Sequence, residues 1–195
     1  MRPATAPTSR PLGSASYTSA QTRIIEAALA LFADHGISGV SLQMIADAIG
    51  VTKAAVYHQY NTKDGIVLAV AEVVLAGLEA AVTAAEAERS RSRARELLIA
   101  RMIDLAVERR GMASVLQRDP VMLRFLAEHA PFRRVMVRVN RLLMGGESDA
   151  RARVQAATVA AAIAGAMIHP LVLDLDDETL RSQLLKQTRK LLPRR

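Results

Sequence analysis

The sequence contains no cysteine and no tryptophan, and its aromatic residues are limited to three tyrosines and three phenylalanines. Without cysteine, the chain forms no disulfides or thiolate metal sites, as is typical of a protein kept in a reducing compartment. Alternating β-branched runs, the pattern of strands, are also scarce, whereas alanine and leucine are abundant. The composition therefore predicts an all-α protein whose 195 residues can bury a sizeable core.

Catalytic motifs are also missing. The sequence has no HExxH, no G-x-S-x-G and no G-x-x-x-x-G-K, and its four histidines, at positions 35, 58, 129 and 169, lie far apart. The acidic run at 174–178 lacks the glycine and distal glutamate of a calcium loop. We interpret it as a turn that caps the next helix, with a metal site as the alternative. The sequence thus predicts no enzyme, cofactor or metal.

The alanine-rich run does not predict a membrane span. From Ala156 to Ile168 there are thirteen residues without a charge, too few to cross a hydrocarbon core. Residues 1–17 are rich in Pro, Ser, Thr and Ala and lack the apolar segment of a signal peptide. They predict a disordered arm and a cytoplasmic location. The alternative for the arm is that Arg2 and Arg10 contact nucleic acid.

The net charge of +7 does not locate a functional site. Residues 1–65 contain five basic and four acidic residues, so most of the positive excess lies further along the chain. Arg89 to Arg95 places arginine at alternate positions. We interpret this stretch as a solvated loop and first helical turn, with a second nucleic-acid patch as the alternative.

Residues 41–60, SLQMIADAIGVTKAAVYHQY, predict two short helices joined by a tight turn. Ser41 is a suitable cap for the first helix, which ends at Gly50, where glycine can adopt a left-handed conformation. Thr52 then caps the second helix, which buries Val56 and Tyr60. This spacing is that of a helix-turn-helix, although any short αα-hairpin has similar spacing.

The flanking segments make the pattern more specific. Thr18 and Gln21 form a capping-box pattern at the start of an earlier helix that ends near Gly36. From Thr18 to about Val70 the chain resembles the TetR family of bacterial transcription regulators. The resemblance is carried by Ile24, Ala27, Ala28, Leu31, Phe32, Gly36, Ser41, Ile45, Ala46, Gly50, Val51, Thr52, Val56, Tyr57, Tyr60, Lys63 and Leu68. Ala54 stands where the family often has glycine or proline, and Tyr60 replaces the usual phenylalanine.

The resemblance implies a helix-turn-helix DNA-binding domain at 18–64 and a helical regulatory and dimerisation domain at 65–195. A connector helix from about Lys63 to Ala87 would join them. The implied function is a ligand-responsive repressor that binds a palindromic operator as a dimer and is released by a small, largely apolar effector. The alternatives are a helical interaction protein or enzyme with an incidental αα-hairpin, or an activator without an effector.

The resemblance also assigns roles to residues. Ser41, Tyr57, His58 and Lys63 are expected on DNA phosphates, and Lys53, Ala55 and Thr52, with Gln43, on base edges or thymine methyl groups. Tyr57 suits either role, and the alternative for Tyr57 and His58 is ordinary helix surface.

The last two helices stand where the family forms its dimer interface, as an alternative to burial within one subunit. The expected interface residues are Ala157, Ala161, Ala164, Gly165, Leu184 and Leu191. For the effector we expect contacts with Met102, Leu105, Met122, Phe125, Leu126 and Met136. Asn140 or His169 would supply the polar contact. The alternative for the methionines is that they fill gaps in an apolar core.

Overall fold

The structure is a computed structural model that describes residues 17–108, 110, 115, 119–145 and 149–191. Within these residues the chain forms nine α-helices, one 3₁₀ turn at Pro170–Val172 and no strand, which confirms the all-α prediction. The helices are α1 (Ser19–Gly39), α2 (Leu42–Ile49), α3 (Lys53–Gln59), α4 (Lys63–Glu86), α5 (Arg91–Glu108), α6 (Pro120–Glu128), α7 (Ala130–Leu143), α8 (Ala150–Ala166) and α9 (Asp177–Leu191). Arg2 and Arg10 lie outside the described residues.

Local capping accounts for where α1 begins and bends. The Thr18 hydroxyl accepts a bond from the Gln21 amide, and the Gln21 side chain accepts one from the Thr18 amide, so the predicted capping box is confirmed. Gly36 has φ 69° and ψ 161°, which breaks the helical path. Helical structure resumes after Gly36 for one short turn, which ends before Val40. The helix therefore bends at the residue where the sequence predicts that it ends.

The described residues form two apolar cores. The N-terminal core contains buried residues of α1 to α3, the first half of α4, and α6. The C-terminal core contains the second half of α4 together with α5, α7, α8 and α9. Helix α4 therefore belongs to both cores, as expected of a connector.

Helix α4 is also, within the described ranges, the one helix long and apolar enough to cross a membrane by length and composition. Residues along its whole length are buried inside the protein, from Ile66 in the N-terminal core to Ala85 in the C-terminal core. Packing on both cores accounts for its apolar character.

Ion pairs join the C-terminal part of α4 to α7. Arg138 contacts Glu86 at 2.6 Å and Glu79 at 3.7 Å, and Arg141 contacts Glu86 at 2.7 Å. Hydrogen bonds from Arg138 and, to a lesser extent, from Arg141 hold the pKa of Glu86 below its usual range. The connector is thus held on the larger domain at its C-terminal end.

Two acidic residues cap the starts of helices, and the second lies in the acidic run at 174–178. Asp119 caps α6 by accepting bonds from the amides of Val121 and Met122, with Pro120 at the first helical position. Asp176 caps α9 by accepting bonds from the Thr179 amide and hydroxyl, both at 2.8 Å. The acidic run at 174–178 therefore contains the predicted helix cap.

Candidate nucleic-acid interface

Helix α3 presents almost its whole surface to solvent. Val56 is fully buried and anchors the helix to the N-terminal core, while Lys53, Ala55, Tyr57 and His58 are exposed. An apolar anchor on one side leaves a short helix free to enter a groove with the other. The outward face combines a cation, a small residue and two polar rings, a set suited to phosphates and base edges.

The turn before α3 has the conformation predicted from the sequence. Gly50 adopts the left-handed conformation, with φ 70° and ψ 37°. Its amide donates to the backbone carbonyl oxygen of Asp47 at 3.2 Å. Val51 follows half-buried against the N-terminal core, and the Thr52 hydroxyl accepts from the Ala55 amide at 3.2 Å. These bonds fix the angle between α2 and α3.

Arg23 closes the end of α2, a role that the sequence did not suggest. Its guanidinium donates to the carbonyl oxygen of Ile49 at 2.8 Å, 26 residues away along the chain. Lysine and arginine side chains commonly satisfy the last carbonyls of a helix. Only the packing of α1 on α2 brings the two groups together.

The remaining expected contacts of α2 have partners within the helix. The exposed Ser41 caps the helix by accepting from the Met44 amide at 3.2 Å, which leaves its hydroxyl proton available. The Gln43 amide group donates to the Asp47 carboxylate at 2.7 Å. A base contact by Gln43 therefore requires that this bond be exchanged.

The position of Lys63 changes the interpretation of its role. Its ammonium group lies 2.8 Å from the Ile37 carbonyl oxygen, 3.0 Å from that of Val40 and 3.5 Å from that of Ser38. An ammonium group has three donors, so these carbonyls use its bonding capacity. The predicted phosphate contact competes with these bonds, and the geometry favours a role in closing the end of α1.

A tyrosine–glutamate contact attaches the start of the described chain to the connector. The Tyr17 hydroxyl donates to Glu72 at 2.8 Å, and burial together with this bond raises the pKa of Tyr17. Burial, and then the charge of Glu72, raises the pKa of Tyr60 to about 12. Tyr60 is half-buried rather than fully buried. Both hydroxyls therefore stay protonated near neutral pH.

The residues expected to bind an effector do not lie together. Met122, Phe125 and Leu126 pack in or against the N-terminal core, whereas Met102, Leu105 and Met136 pack against the C-terminal core. The six apolar residues thus divide between the two cores.

The two expected polar contacts need correction. Asn140 and His169 are exposed, and the His169 imidazole accepts from the Leu171 amide at 3.3 Å. Neither side chain is placed to orient a molecule inside this chain, because both face solvent.

The residues assigned to a dimer interface also separate into two groups. Ala157 and Ala161 are exposed on α8, and Gly165 has open space where a side chain would stand. Ala164 is half-buried, and Leu191 on α9 is 38% exposed. Leu184 is buried in the C-terminal core. For Leu184 this burial favours the alternative of packing within one subunit, because it lies on the inward face of α9.

Comparison with known proteins gives two sequence matches, each over part of the chain. Residues 24–70 match the model of the family described as "Bacterial regulatory proteins, tetR family". The HTH-type transcriptional repressor AcnR of Corynebacterium glutamicum is 32% identical over 54 residues, which are 28% of this chain and 29% of that protein. The chain thus matches less than a third of the length of this curated relative.

Solved structures resemble the chain over nearly its whole length. The ketosteroid transcriptional regulator KstR2 of Mycobacterium tuberculosis has a TM-score of 0.73 at 15% identity, covering 95% of this chain and 100% of that chain. A TerR/AcrR-family transcriptional regulator of Aquifex aeolicus has a TM-score of 0.69 at 12% identity, covering 89% and 100%. At these identities the likeness establishes only that the chain shares the fold of these proteins.

Proposed function

Because the chain belongs to the TetR family of bacterial regulatory proteins, we propose that it is a transcriptional repressor that binds a palindromic operator through α3. The observation that supports this most directly is the exposed face of α3, anchored by the fully buried Val56. The relative from Corynebacterium is a transcriptional repressor, and its similarity is compatible with repression here.

A gel-shift titration with the DNA upstream of its own gene tests binding. The parent should shift this duplex at lower concentration than a random duplex of equal length. Lys53→Glu should abolish the preference, because it puts a carboxylate beside phosphates and base edges. Lys186→Glu makes the same charge change at an exposed position on α9 and should bind like the parent. If the parent shifts no duplex, the proposed DNA binding is contradicted.

We further propose that two copies bind the operator together. The exposed stripe of Val154, Ala157 and Ala161 along α8 supports this, because small residues allow close approach of a second helix. A two-fold dimer presents two α3 helices to successive major grooves, about 34–36 Å apart. Moving the two half-sites apart by half a helical turn should therefore abolish tight binding.

The proposed effector is a small, largely apolar molecule bound in the larger domain. Met102, Leu105 and Met136 support this, since all three are only half-buried against the C-terminal core and two are flexible thioethers. Such a molecule should raise the melting temperature and release the protein from DNA. Met136→Trp should blunt both effects while leaving DNA affinity unchanged. Full response in this variant would exclude these residues from the binding site.

A further inference from the structure

Asp119 makes the best-defined polar contact between the larger domain and the helix-turn-helix domain. It and Thr188 are the two polar residues classed as buried in the described ranges, and Asp119 is 8% exposed. Its Oδ1 atom accepts from the amides of Val121 at 2.8 Å and Met122 at 3.3 Å. Its Oδ2 atom accepts from the amide of Ile37 at 2.6 Å, 82 residues earlier in the chain. One carboxylate thus bonds to both domains.

The bend in α1 provides the donor for this contact. The positive φ at Gly36 interrupts the helix, so the next amide, that of Ile37, points at Asp119 instead of at a carbonyl of its own helix. A Cβ atom at position 36 would lie 3.3 Å from Asp119 Oδ2. The carboxylate therefore approaches the bend at a point where a larger residue would crowd it.

Ile37, whose amide donates to Asp119, is also held through its carbonyl group. The Ile37 carbonyl accepts from Lys63, the first residue of α4, at 2.8 Å, and the Ile37 side chain is buried in the N-terminal core. The segment is thus bonded to the start of α6 by its amide and to the start of α4 by its carbonyl. A shift of either helix changes one of these two bonds.

Capping alone does not explain this arrangement. Asp149 at the start of α8 caps its helix with one oxygen, Oδ1, at 2.7 Å from the Ala152 amide. Asp119 uses one oxygen in the same way and the other for Ile37. The apolar contacts of Met122 and Leu126 around it favour burial but have little directional preference, whereas a buried, charge-assisted hydrogen bond fixes distance and angle.

We propose that Asp119 is the positioning residue that fixes the orientation of the helix-turn-helix domain on the larger domain. Its bond to Ile37 thereby sets the geometry in which α3 is presented. The consequence for DNA rests on the proposed function, whereas the orientation itself does not.

Asp119→Ser separates the two roles of this residue. Serine can still cap α6, but it has no second side-chain oxygen in the place of Asp119 Oδ2 to accept from the Ile37 amide. Asp149→Ser makes the same change at the cap of α8, a helix that packs in the C-terminal core, and it is the matched control. Both variants should keep the helical content of the parent by circular dichroism.

Orientation is measured directly with spin labels. The absence of native cysteine allows a label pair at Ala48→Cys on α2 and Ala127→Cys on α6, both exposed positions. Labelled protein is mixed with excess unlabelled protein, and the distance distribution is recorded by pulsed electron resonance. The distribution should be narrow in the parent and with Asp149→Ser, and should broaden or shift with Asp119→Ser. An unchanged distribution would overturn the proposal.

Amide exchange gives a second, local measurement. The Ile37 amide should exchange at least about tenfold faster with Asp119→Ser, because a hydrogen bond to a charged group is lost. The amide of Ile45, buried in the same core, should exchange at the parental rate. If the serine variant does not fold, Asp119→Asn is used, since an amide nitrogen, which cannot accept, then replaces one of the two accepting oxygens. Parental exchange at Ile37 in the folded variant would contradict the assignment.

DNA binding completes the test. Affinity for a duplex with two half-sites should fall about three- to tenfold with Asp119→Ser, because only a fraction of molecules then hold α3 correctly. Affinity for a single half-site should change much less. Equal losses on both duplexes would indicate general destabilisation and overturn the positioning role. If the parent binds no DNA, the proposed function fails, but the label distances still decide whether Asp119 sets the orientation.

Discussion

The ammonium group of Lys63 donates to the carbonyl oxygens of Ile37 and Val40, at 2.8 and 3.0 Å. The first residue of the connector helix thereby closes the last turn of α1. The carbonyls are partly buried, so water cannot fully replace the lysine. The helix-turn-helix domain is therefore attached to the connector by a polar contact as well as by its apolar core.

This contact predicts that Lys63 contributes to stability. Lys63→Ala should lower the free energy of unfolding by about 1–3 kcal/mol, because it leaves carbonyls without a partner. Lys53→Ala, at an exposed position, should change it by less than about 0.5 kcal/mol. Urea denaturation measures both. In filter binding, Lys63→Ala should keep the parental slope of log affinity against log salt, whereas Lys53→Ala should reduce the preference for the operator over a random duplex.

The opposite result for Lys63→Ala would support the predicted contact between Lys63 and a DNA phosphate. In that case Lys63→Ala would unfold at the parental urea concentration and would bind DNA with a smaller salt slope. Lys63→Arg serves as the control, because it keeps the charge but replaces the compact ammonium group that contacts three carbonyls.

Features set by near neighbours in the chain were predictable from the sequence. The capping box at Thr18, the left-handed Gly50 and the cap at Thr52 each involve groups within four or five residues, and all are present in the structure. The contacts of Arg23 with Ile49 and of Asp119 with Ile37 span 26 and 82 residues. They depend on how helices pack, for which local spacing carries no signal.

Helical periodicity identified buried positions without showing which core would receive them. Met122 and Met136 both occupy inward positions of amphipathic helices, yet the first packs with the N-terminal core and the second with the C-terminal core. Adjacent helices α6 and α7 diverge at His129, which ends the first and precedes the second. Local spacing carries no signal for this divergence, which separates the residues of the expected pocket.

The exposed face of α8 predicts that Ala161→Arg separates the proposed dimer. Ala161 is exposed in the single chain, so arginine should fit without unfolding it, whereas a second copy packed on α8 would bury an unpaired charge. Light scattering after gel filtration should give a dimer for the parent and a monomer for the variant. Ala84→Arg, at an exposed position on α4, is the control and should remain dimeric. A dimeric Ala161→Arg protein would place the interface elsewhere.

The burial of Met122 predicts that α6 stabilises the N-terminal core. Met122 has no exposed surface, so Met122→Ala should lower the free energy of unfolding by about 2–5 kcal/mol through lost contacts and a cavity. Its neighbour Leu123 is 48% exposed, and Leu123→Ala should cost less than about 1 kcal/mol. Urea denaturation of the two variants makes the comparison. Similar losses would show that α6 does not pack as described.

His129 predicts a pH dependence at the junction of α6 and α7. Burial lowers the pKa of its imidazole, Glu72 opposes that shift, and Arg134 adds to it. The centroid of the Phe125 ring lies 5.3 Å from the centroid of the His129 imidazole. Between the lowered pKa of the folded state and the usual histidine value of about 6.5, the unfolded chain binds a proton that the folded chain does not. This contribution to stability is therefore complete above about pH 6.5 and is lost as the pH falls through the folded-state pKa.

Unfolding free energies between pH 7.5 and 5 should fall for the parent and fall less for His129→Gln, which cannot titrate. Restricting the range to above about pH 5 keeps the measurement clear of Glu86, whose lowered pKa makes its own contribution disappear only at more acidic pH. The control is His35→Gln, which changes an exposed histidine on α1 and should retain the parental slope. If His129→Gln and the parent have the same slope, the imidazole is not held in its neutral form by burial at this junction.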